Sequence, residues 1–429
     1  MFRFGNKKLP TESYKGVRDF FPEDQALQNY IFGIMRKSVE SFGFEEYSAS
    51  ILESSELYKA KTSEEIVNEQ TYFFVDRGGR EVTLRPEMTP TVARMISGKY
   101  RDYPAPVRWY SIPNLFRYEK PQRGRLREHF QLNADIFGVA GVFADAEIIS
   151  LASTLMKNFG AKDSDFEIRI NSREFLNDFA LSFGLQDSDK AKFYRLLDKK
   201  DKMSDSDFKS SLQDLLGKEK TEKLLEKFYY GEAILTMMPE SNAAKYLNEV
   251  VDTLKSWNIT NIKFSPTLTR GFDYYTGVVF EVFDTDKTNN RSLFGGGRYD
   301  KLSDNFIDES IPAVGFGMGD VTAKDFLETH GLLPERLMSL DLYFVVAPET
   351  DINKVYKIAD KLRKENIKVA VDISGKKLPD QLKVIDKRNA KYVTVVGTKE
   401  LESNKFVIRN TKTREESELS LEDIAERLR

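Results

Sequence analysis

Arg270, Asp273, Tyr274 and Tyr275 stand within six residues, in the stretch RGFDYYTGVVFE that ends at Glu281. Gly271 and Gly277 bracket the polar group, and glycine permits turns and close ligand approach that other residues resist. The following run, Val278, Val279 and Phe280, reads as a buried strand. A second glycine-rich segment, Gly295-Gly296-Gly297-Arg298-Tyr299-Asp300, comes shortly after and reads as a second turn. Together they predict a hairpin that presents tyrosines and arginines to a pocket. Aromatic residues also favour strands on their own account, so plain packing is the competing reading.

Three further groups carry reactive side chains. In Leu84-Arg85-Pro86-Glu87-Met88-Thr89-Pro90 a carboxylate sits at a strand end beside a threonine, placed to hold an ammonium group or to cap a helix. From Arg117 to Gln131 the chain reads as strand, basic loop and return strand. Residues 117–129 hold five basic and two acidic side chains, a net +3. Arg123, Arg125 and Arg127 alternate, so on an extended return strand they would share one face and suit phosphate. In Ile311 to Glu328, Gly315, Gly317 and Gly319 alternate along a strand, leaving one face bare. That fits a flat ligand lying on the backbone, or a crowded packing site.

The elements that must position these groups follow from periodicity. A helix after residue 22, with Asp24 as its cap and Leu27, Ile31, Ile34, Met35 and Phe42 on one face, leads to an extended stretch from Phe44 to Leu52. Residues 72–84 read as two strands about Asp76–Arg80, residues 107–117 as one strand and Phe130–Phe137 as the next. A helix over 141–160 and a strand over Phe166–Ile170 precede a cap at Asn171–Glu174. From about 185 to 245 Lys, Asp, Glu, Leu and Ser dominate, which predicts a helical insertion. Beyond His330–Pro334 short strands and helices alternate, as in a small α/β domain. Lys354–Lys391 holds twelve basic and five acidic residues, a local +7 that fits RNA contact. A final helix begins at Ser420 with Asp423 in capping-box position.

At 429 residues the chain exceeds one ordinary core, and two or three domains are expected. There is no cysteine, which rules out disulfides and thiolate metal sites and leaves His129 and His330 as the only imidazoles. The net charge of −3 does not mark a nucleic-acid binder, because clustered charge decides that. The N-terminus lacks an apolar signal region and no apolar run approaches a membrane span, so a cytoplasmic protein is expected.

Taken together, LRPEMTP at 84–90, FRYEKPQRGR at 116–125, RGFDYYTG at 270–277 and GGGRYD at 295–300 resemble the histidyl-tRNA synthetase family of class II aminoacyl-tRNA synthetases. The likeness runs from Gly16 to the C-terminus. It implies an α+β catalytic domain over 1–330, an antiparallel class II synthetase sheet with flanking helices and the helical insertion. It implies a C-terminal α/β anticodon-binding domain over 335–429, and a homodimer joined through the helix and strand at 24–52. The implied reaction joins histidine to ATP as histidyl-adenylate, with Mg²⁺, and then transfers the histidyl group to the 3′ end of tRNA-His.

By the same resemblance Arg117 and Arg270 hold the α-phosphate and carboxylate, and Gln131 bonds the reacting carboxylate. Glu87 and Thr89 take the α-ammonium. Asp135, Tyr274, Tyr275 and Tyr299 form the imidazole pocket. Arg125, Arg127, His129, Gly317 and Gly319 serve ATP, with His129 stacking on adenine. Gln122 and Arg123 reach the acceptor stem.

Four positions depart from the family pattern. Thr322 stands where a nucleotide-binding arginine is expected, with Lys324 a candidate replacement. His129 takes an aromatic's place, Ser50 a proline's, and Asp135 a glutamate's. The alternative is a non-catalytic histidine-sensing paralogue, the regulatory subunit of an ATP phosphoribosyltransferase. Thr322 favours it; Arg270 and the C-terminal domain oppose it. A class II synthetase for another amino acid conflicts with the paired tyrosine segments.

Overall fold

The computed structural model describes residues 9–59, 70–200, 203–269, 274–289, 292–335, 337 and 340–429. The chain forms two compact units, one built on Gln28–Leu333 and the other on Pro334–Arg429.

The first unit is organised on a nine-stranded sheet. Its strands are β1 (Glu45–Glu46), β5 (Val107–Ser111), β6 (Asn114–Phe116), β7 (Glu128–Phe137), β8 (Phe166–Ser172), β9 (Ile262–Phe264), β10 (Val278–Asp284), β11 (Ser292–Arg298) and β12 (Ala313–Gly319). The order is β1-β5-β7-β12-β11-β10-β8-β9, with β6 paired to β7. The interior pairs are antiparallel, and only the edge pairs β1–β5 and β8–β9 are parallel. A separate sheet of β2 (Leu52–Ser54), β3 (Tyr72–Val75) and β4 (Glu81–Leu84) has the order β2-β4-β3.

Helix α1 (Pro22–Glu40) starts on a proline, whose missing N–H costs nothing in a first turn. Asp24 therefore lies inside that turn, and Phe21, not Asp24, occupies the N-cap without a side-chain bond. Helix α2 (Ser55–Lys59) packs on β4, and α3 (Thr89–Ser97) follows the Arg85-Pro86-Glu87 segment. Helix α4 (Val142–Asn158) is buried nearly all round, as a helix under a sheet must be. Ser172 caps α5 (Arg173–Ser182) by accepting the Phe175 N–H. Helices α6 (Asp187–Lys199), α7 (Asp205–Leu216), α8 (Lys218–Tyr229) and α9 (Ala233–Thr236) fill the stretch expected to be helical, and α10 (Asn242–Ser256) returns to pack on α4. Helix α11 (Asp320–Thr329) leaves the end of β12.

Three expectations fail here for identifiable reasons. Gly295–Gly297 is no turn but the middle of β11, because the neighbouring backbone is too close for any side chain. A Cβ on Gly296 would lie 2.0 Å from the Gly315 carbonyl oxygen. The strand expected over 107–117 is broken at Pro113, whose carbonyl instead accepts the Gln131 N–H. The alternation of Arg123, Arg125 and Arg127 presumed extended backbone. Instead Gly124, at φ +75°, turns the chain tightly between Gln122 and Arg125, and the return strand starts only at Glu128.

The second unit carries the sheet β14-β13-β15-β16-β17: β13 (Leu340–Val346), β14 (Val369–Val371) and β15 (Ala390–Val396) parallel, β16 (Phe406–Asn410) and β17 (Glu416–Leu419) antiparallel. Helix α12 (Ile352–Lys364) and the terminal α15 (Leu421–Leu428) share its main apolar core. Helix α13 is short (Leu378–Leu382) and is followed by a 3₁₀ turn at Ile385–Lys387. Helix α14 (Thr398–Ser403) and the β16–β17 hairpin carried no sequence expectation. Ser420 and Asp423 form the capping box of α15. Among the described residues no helix is long and apolar enough to cross a membrane.

Candidate active site

The site is built on β7. Period-two alternation buries Leu132, Ala134 and Ile136 on one face and turns Gln131, Asn133 and Asp135 to the other. Their partners across the ladder on β12 are Gly319, Gly317 and Gly315. The bare face of β12 is therefore covered by β7 side chains. A Cβ on Gly315 would lie 1.9 Å from Asp135 Oδ1, and one on Gly317 would lie 2.8 Å from Gln131 Cδ. One strand further, the Tyr275 ring lies 2.9 Å from where a Gly297 Cβ would be. The glycine strands are thus the floor on which long polar side chains lie flat.

Around this floor close Glu87 and Thr89 at the start of α3, Arg117 just after β6, and Tyr274, Tyr275 and Tyr299. Together with Gln131, Asn133 and Asp135 they line a small polar cavity. The Tyr274 and Tyr299 rings belong to an apolar cluster with Val92, Ile96, Trp109 and Phe137, while their hydroxyls reach into the cavity. Tyr274 Oη donates to Glu87 Oε2 at 3.0 Å. Tyr299 Oη donates to Asp135 Oδ1 at 2.5 Å. Asp135 Oδ2 is buried with no partner among the described residues. Burial pushes the Asp135 carboxyl up to about 7, the Tyr299 bond opposing the shift. The Tyr299 hydroxyl is raised well above its usual range by burial and then by the Asp135 charge.

A second, larger cavity adjoins the first, lined by Arg117, Glu119, Arg125, His129, Gln131, Glu281, Gly317, Gly319 and Thr322 among others. Arg117 and Gln131 line both. Arg117 is steadied by donating from Nε to the Pro86 carbonyl at 2.9 Å. Burial, with Arg117 and Arg18 nearby, lowers the His129 pKa to about 3, so the ring is neutral at physiological pH. Phe130 turns to the other face and packs on Phe20 and Phe32.

The basic loop divides. Arg125 lines the second cavity, 3.8 Å from Glu119. Arg127 does not line it. It is buried in the N-terminal segment, donating to the Glu119 carbonyl and the Tyr14 hydroxyl, with its guanidinium 4.0 Å from the Tyr118 ring centre. The ATP contact that the resemblance implied for Arg127 is therefore not met, because Tyr14, Tyr118 and the Glu119 carbonyl take up its guanidinium. Gln122 is exposed at the turn, and Arg123 projects at the tip with Asp325 3.8 Å away. Thr322 lines the cavity and donates to the Gly319 carbonyl. Lys324 pairs with Glu328 at 3.6 Å and is not a lining residue. Ser50 accepts from Arg85 through its carbonyl. Arg270 lies outside the described residues.

Sequence reasoning missed three groups. Asn133 lines the first cavity, its amide donating to the Gln131 carbonyl; continuing the alternation between Gln131 and Asp135 would have found it. Glu281 lines the second cavity from β10. Arg18 pairs with Asp320 at 2.7 Å, and Asp320 also accepts the Phe130 N–H. No local pattern marks that contact, since 302 residues separate the partners.

A largely antiparallel sheet with a small polar cavity adjoining a larger one that holds both arginines and glutamates is the arrangement of the class II aminoacyl-tRNA synthetases. Comparison with known proteins narrows this. The family model for histidyl-tRNA synthetase matches residues 16–320, and that for an anticodon binding domain matches residues 344–429. The histidine–tRNA ligase of Leptospira biflexa is 40% identical over 99% of this chain and 98% of its own length. A histidyl-tRNA synthetase structure from Nostoc superposes with a TM-score of 0.85, at 21% identity, over 98% of this chain and 99% of that one. A Bacillus halodurans structure titled ATP phosphoribosyltransferase regulatory subunit/histidyl-tRNA synthetase reaches 0.75 at 22% identity, over 91% of this chain and 99% of that one. At such identities the two structures speak to fold alone. The chain belongs to the histidyl-tRNA synthetase family. Its activity is that of an aminoacyl-tRNA ligase, and the sensing-paralogue reading gives way to it.

Proposed function

We propose that the smaller cavity binds histidine, the larger binds ATP, and the two react where Arg117 and Gln131 line both. That shared boundary carries the reading, because adenylation needs a carboxylate oxygen held in line with an α-phosphate beside fixed positive charge. Glu87, with Thr89, takes the α-ammonium. Gln131 and Arg117 orient the carboxylate and α-phosphate, and Arg270 adds a second guanidinium. The carboxyl of Asp135, with one oxygen bonded by Tyr299 and the other without a partner among the described residues, accepts an imidazole N–H. A buried polar group awaiting one particular donor rejects analogues that lack it. The neutral, flat His129 ring suits a purine, and Arg125 suits the outer phosphates. Mg²⁺ comes with ATP, and Glu119 and Glu281 are oxygen donors of the kind it accepts beside phosphates. Held there, it would neutralise phosphate charge.

The histidyl group then passes to the 3′ end of tRNA-His, with Gln122 and Arg123 at the acceptor stem and residues 335–429 reading the anticodon. A cytoplasmic homodimer joined through residues 24–52 completes the proposal. The test is histidine-dependent ATP–pyrophosphate exchange with the purified chain. Exchange that requires histidine, and that falls by orders of magnitude in Arg117→Ala, is expected. No exchange in the unaltered chain would overturn the reading.

A further inference from the structure

Behind the smaller cavity lies a buried polar network that the proposed reaction does not use. Arg298 precedes Tyr299, and each of its three guanidinium nitrogens has an acceptor. Nε and Nη2 reach Asp145 Oδ1 at 2.9 and 2.7 Å. Nη2 also reaches the Gly141 carbonyl at 3.3 Å, while Nη1 donates to the Val139 carbonyl at 3.1 Å and to Asp300 Oδ1 at 3.0 Å. Asp145, on α4, is wholly buried, and its other oxygen accepts from Tyr246 of α10 at 2.7 Å.

The same residues hold the backbone that carries the pocket tyrosines. The Thr276 N–H bonds the Arg298 carbonyl at 2.8 Å, and Thr276 Oγ1 accepts the Asp300 N–H at 3.1 Å. Asp300 Oδ1 also accepts the Ala313 N–H at 3.0 Å, and the Tyr299 N–H bonds the Ala313 carbonyl at 2.8 Å. Tyr299 is thus tied on both sides, and the residue after Tyr275 is tied to the same frame.

Taking a guanidinium and a carboxylate out of water carries a large desolvation penalty, and a buried ion pair is weak evidence of a stability gain. What such a fully satisfied network supplies is one fixed geometry. Here fixed geometry matters, because the bond from Tyr299 to Asp135 depends on where the Tyr299 backbone sits.

We infer that Arg298, Asp145 and Tyr246 are positioning residues for imidazole recognition, holding Tyr299 on Asp135 and hanging that geometry on helix α10. The inference rests on the histidine pocket proposed above. Its test is the pyrophosphate exchange assay on Tyr246→Phe, which removes one hydroxyl, and on Asp145→Asn. KM for histidine should rise about threefold to tenfold in Tyr246→Phe and further in Asp145→Asn, with kcat and KM for ATP within twofold. In a Tyr299→Phe background, Tyr246→Phe should add nothing, since the two act through one bond. An unchanged KM for histidine in Tyr246→Phe overturns the inference, as does a parallel rise for ATP or a full additional effect in the Tyr299→Phe background. Because Tyr246→Phe deletes only an oxygen, it keeps the test decisive should Asp145→Asn fail to fold. Absence of exchange in the unaltered chain would instead sink the pocket assignment itself.

Discussion

Gly315→Ala isolates the geometry on which histidine selection rests. The new Cβ would stand 1.9 Å from Asp135 Oδ1, 2.7 Å from Asp135 Cγ and 2.7 Å from the Ala134 carbonyl oxygen. The backbone oxygen is held by the β7–β12 ladder and can give only tenths of an ångström, so the Asp135 carboxylate must withdraw by at least about 1 Å. A Tyr299–Asp135 bond of 2.5 Å does not survive such a move. A hydrogen bond to a charged group contributes about 1.5–3 kcal/mol, so KM for histidine should rise roughly tenfold to 150-fold. KM for ATP should move little, because Asp135 does not line the larger cavity. The assay is pyrophosphate exchange at saturating ATP with histidine varied, after circular dichroism has shown an intact fold. A histidine KM within threefold of the unaltered chain would refute the reasoning. Gly296→Ala serves as contrast: its Cβ would meet backbone, the Gly315 oxygen at 2.0 Å, and should abolish folding rather than shift a KM.

Asp135 also predicts a pH dependence of stability. Its folded pKa of about 7 exceeds the ordinary carboxylate value of 3.8, so the folded chain holds that proton more tightly than the unfolded one. The resulting stabilisation is fully present below about pH 4 and is lost as pH rises through 7, a change of about 4 kcal/mol. Asp135→Asn lacks it, so ligand-free urea titrations should show the variant gaining on the unaltered chain between pH 4 and pH 8; a constant difference would contradict this. The two basic-loop arginines should separate cleanly. Arg125→Ala should raise KM for ATP several-fold with little change in melting temperature. Arg127→Ala should leave KM for ATP near normal and lower stability by about 1–3 kcal/mol, since it removes buried contacts to Tyr14, Tyr118 and the Glu119 carbonyl. Matching effects of the two in both measurements would contradict the structure.

Part of the site's surroundings was legible in the chain. Glu87 and Thr89 stood out as a carboxylate and a hydroxyl at a strand end, whereas Gln131 and Asp135 came from the family resemblance, and the alternation along β7 turns both into the cavity. Ser172 and Ser420 cap their helices for reasons contained within four residues. Residues whose role depends on a distant neighbour were not legible. Gly295–Gly297 looks like a turn until Gly315 and Tyr275 are seen to occupy the space where side chains would go. Arg127 looks like a phosphate ligand until Gly124 turns the loop and Tyr14 and Tyr118 take up its guanidinium. Arg298, Asp145 and Tyr246 come from three separate elements, and Arg18 meets Asp320 across most of the catalytic unit. Side-chain direction along one strand or helix is a local steric property and can be read from a few residues. Which buried charge meets which depends on how those elements pack, and that is settled only when the whole sheet and its helices have closed around the site.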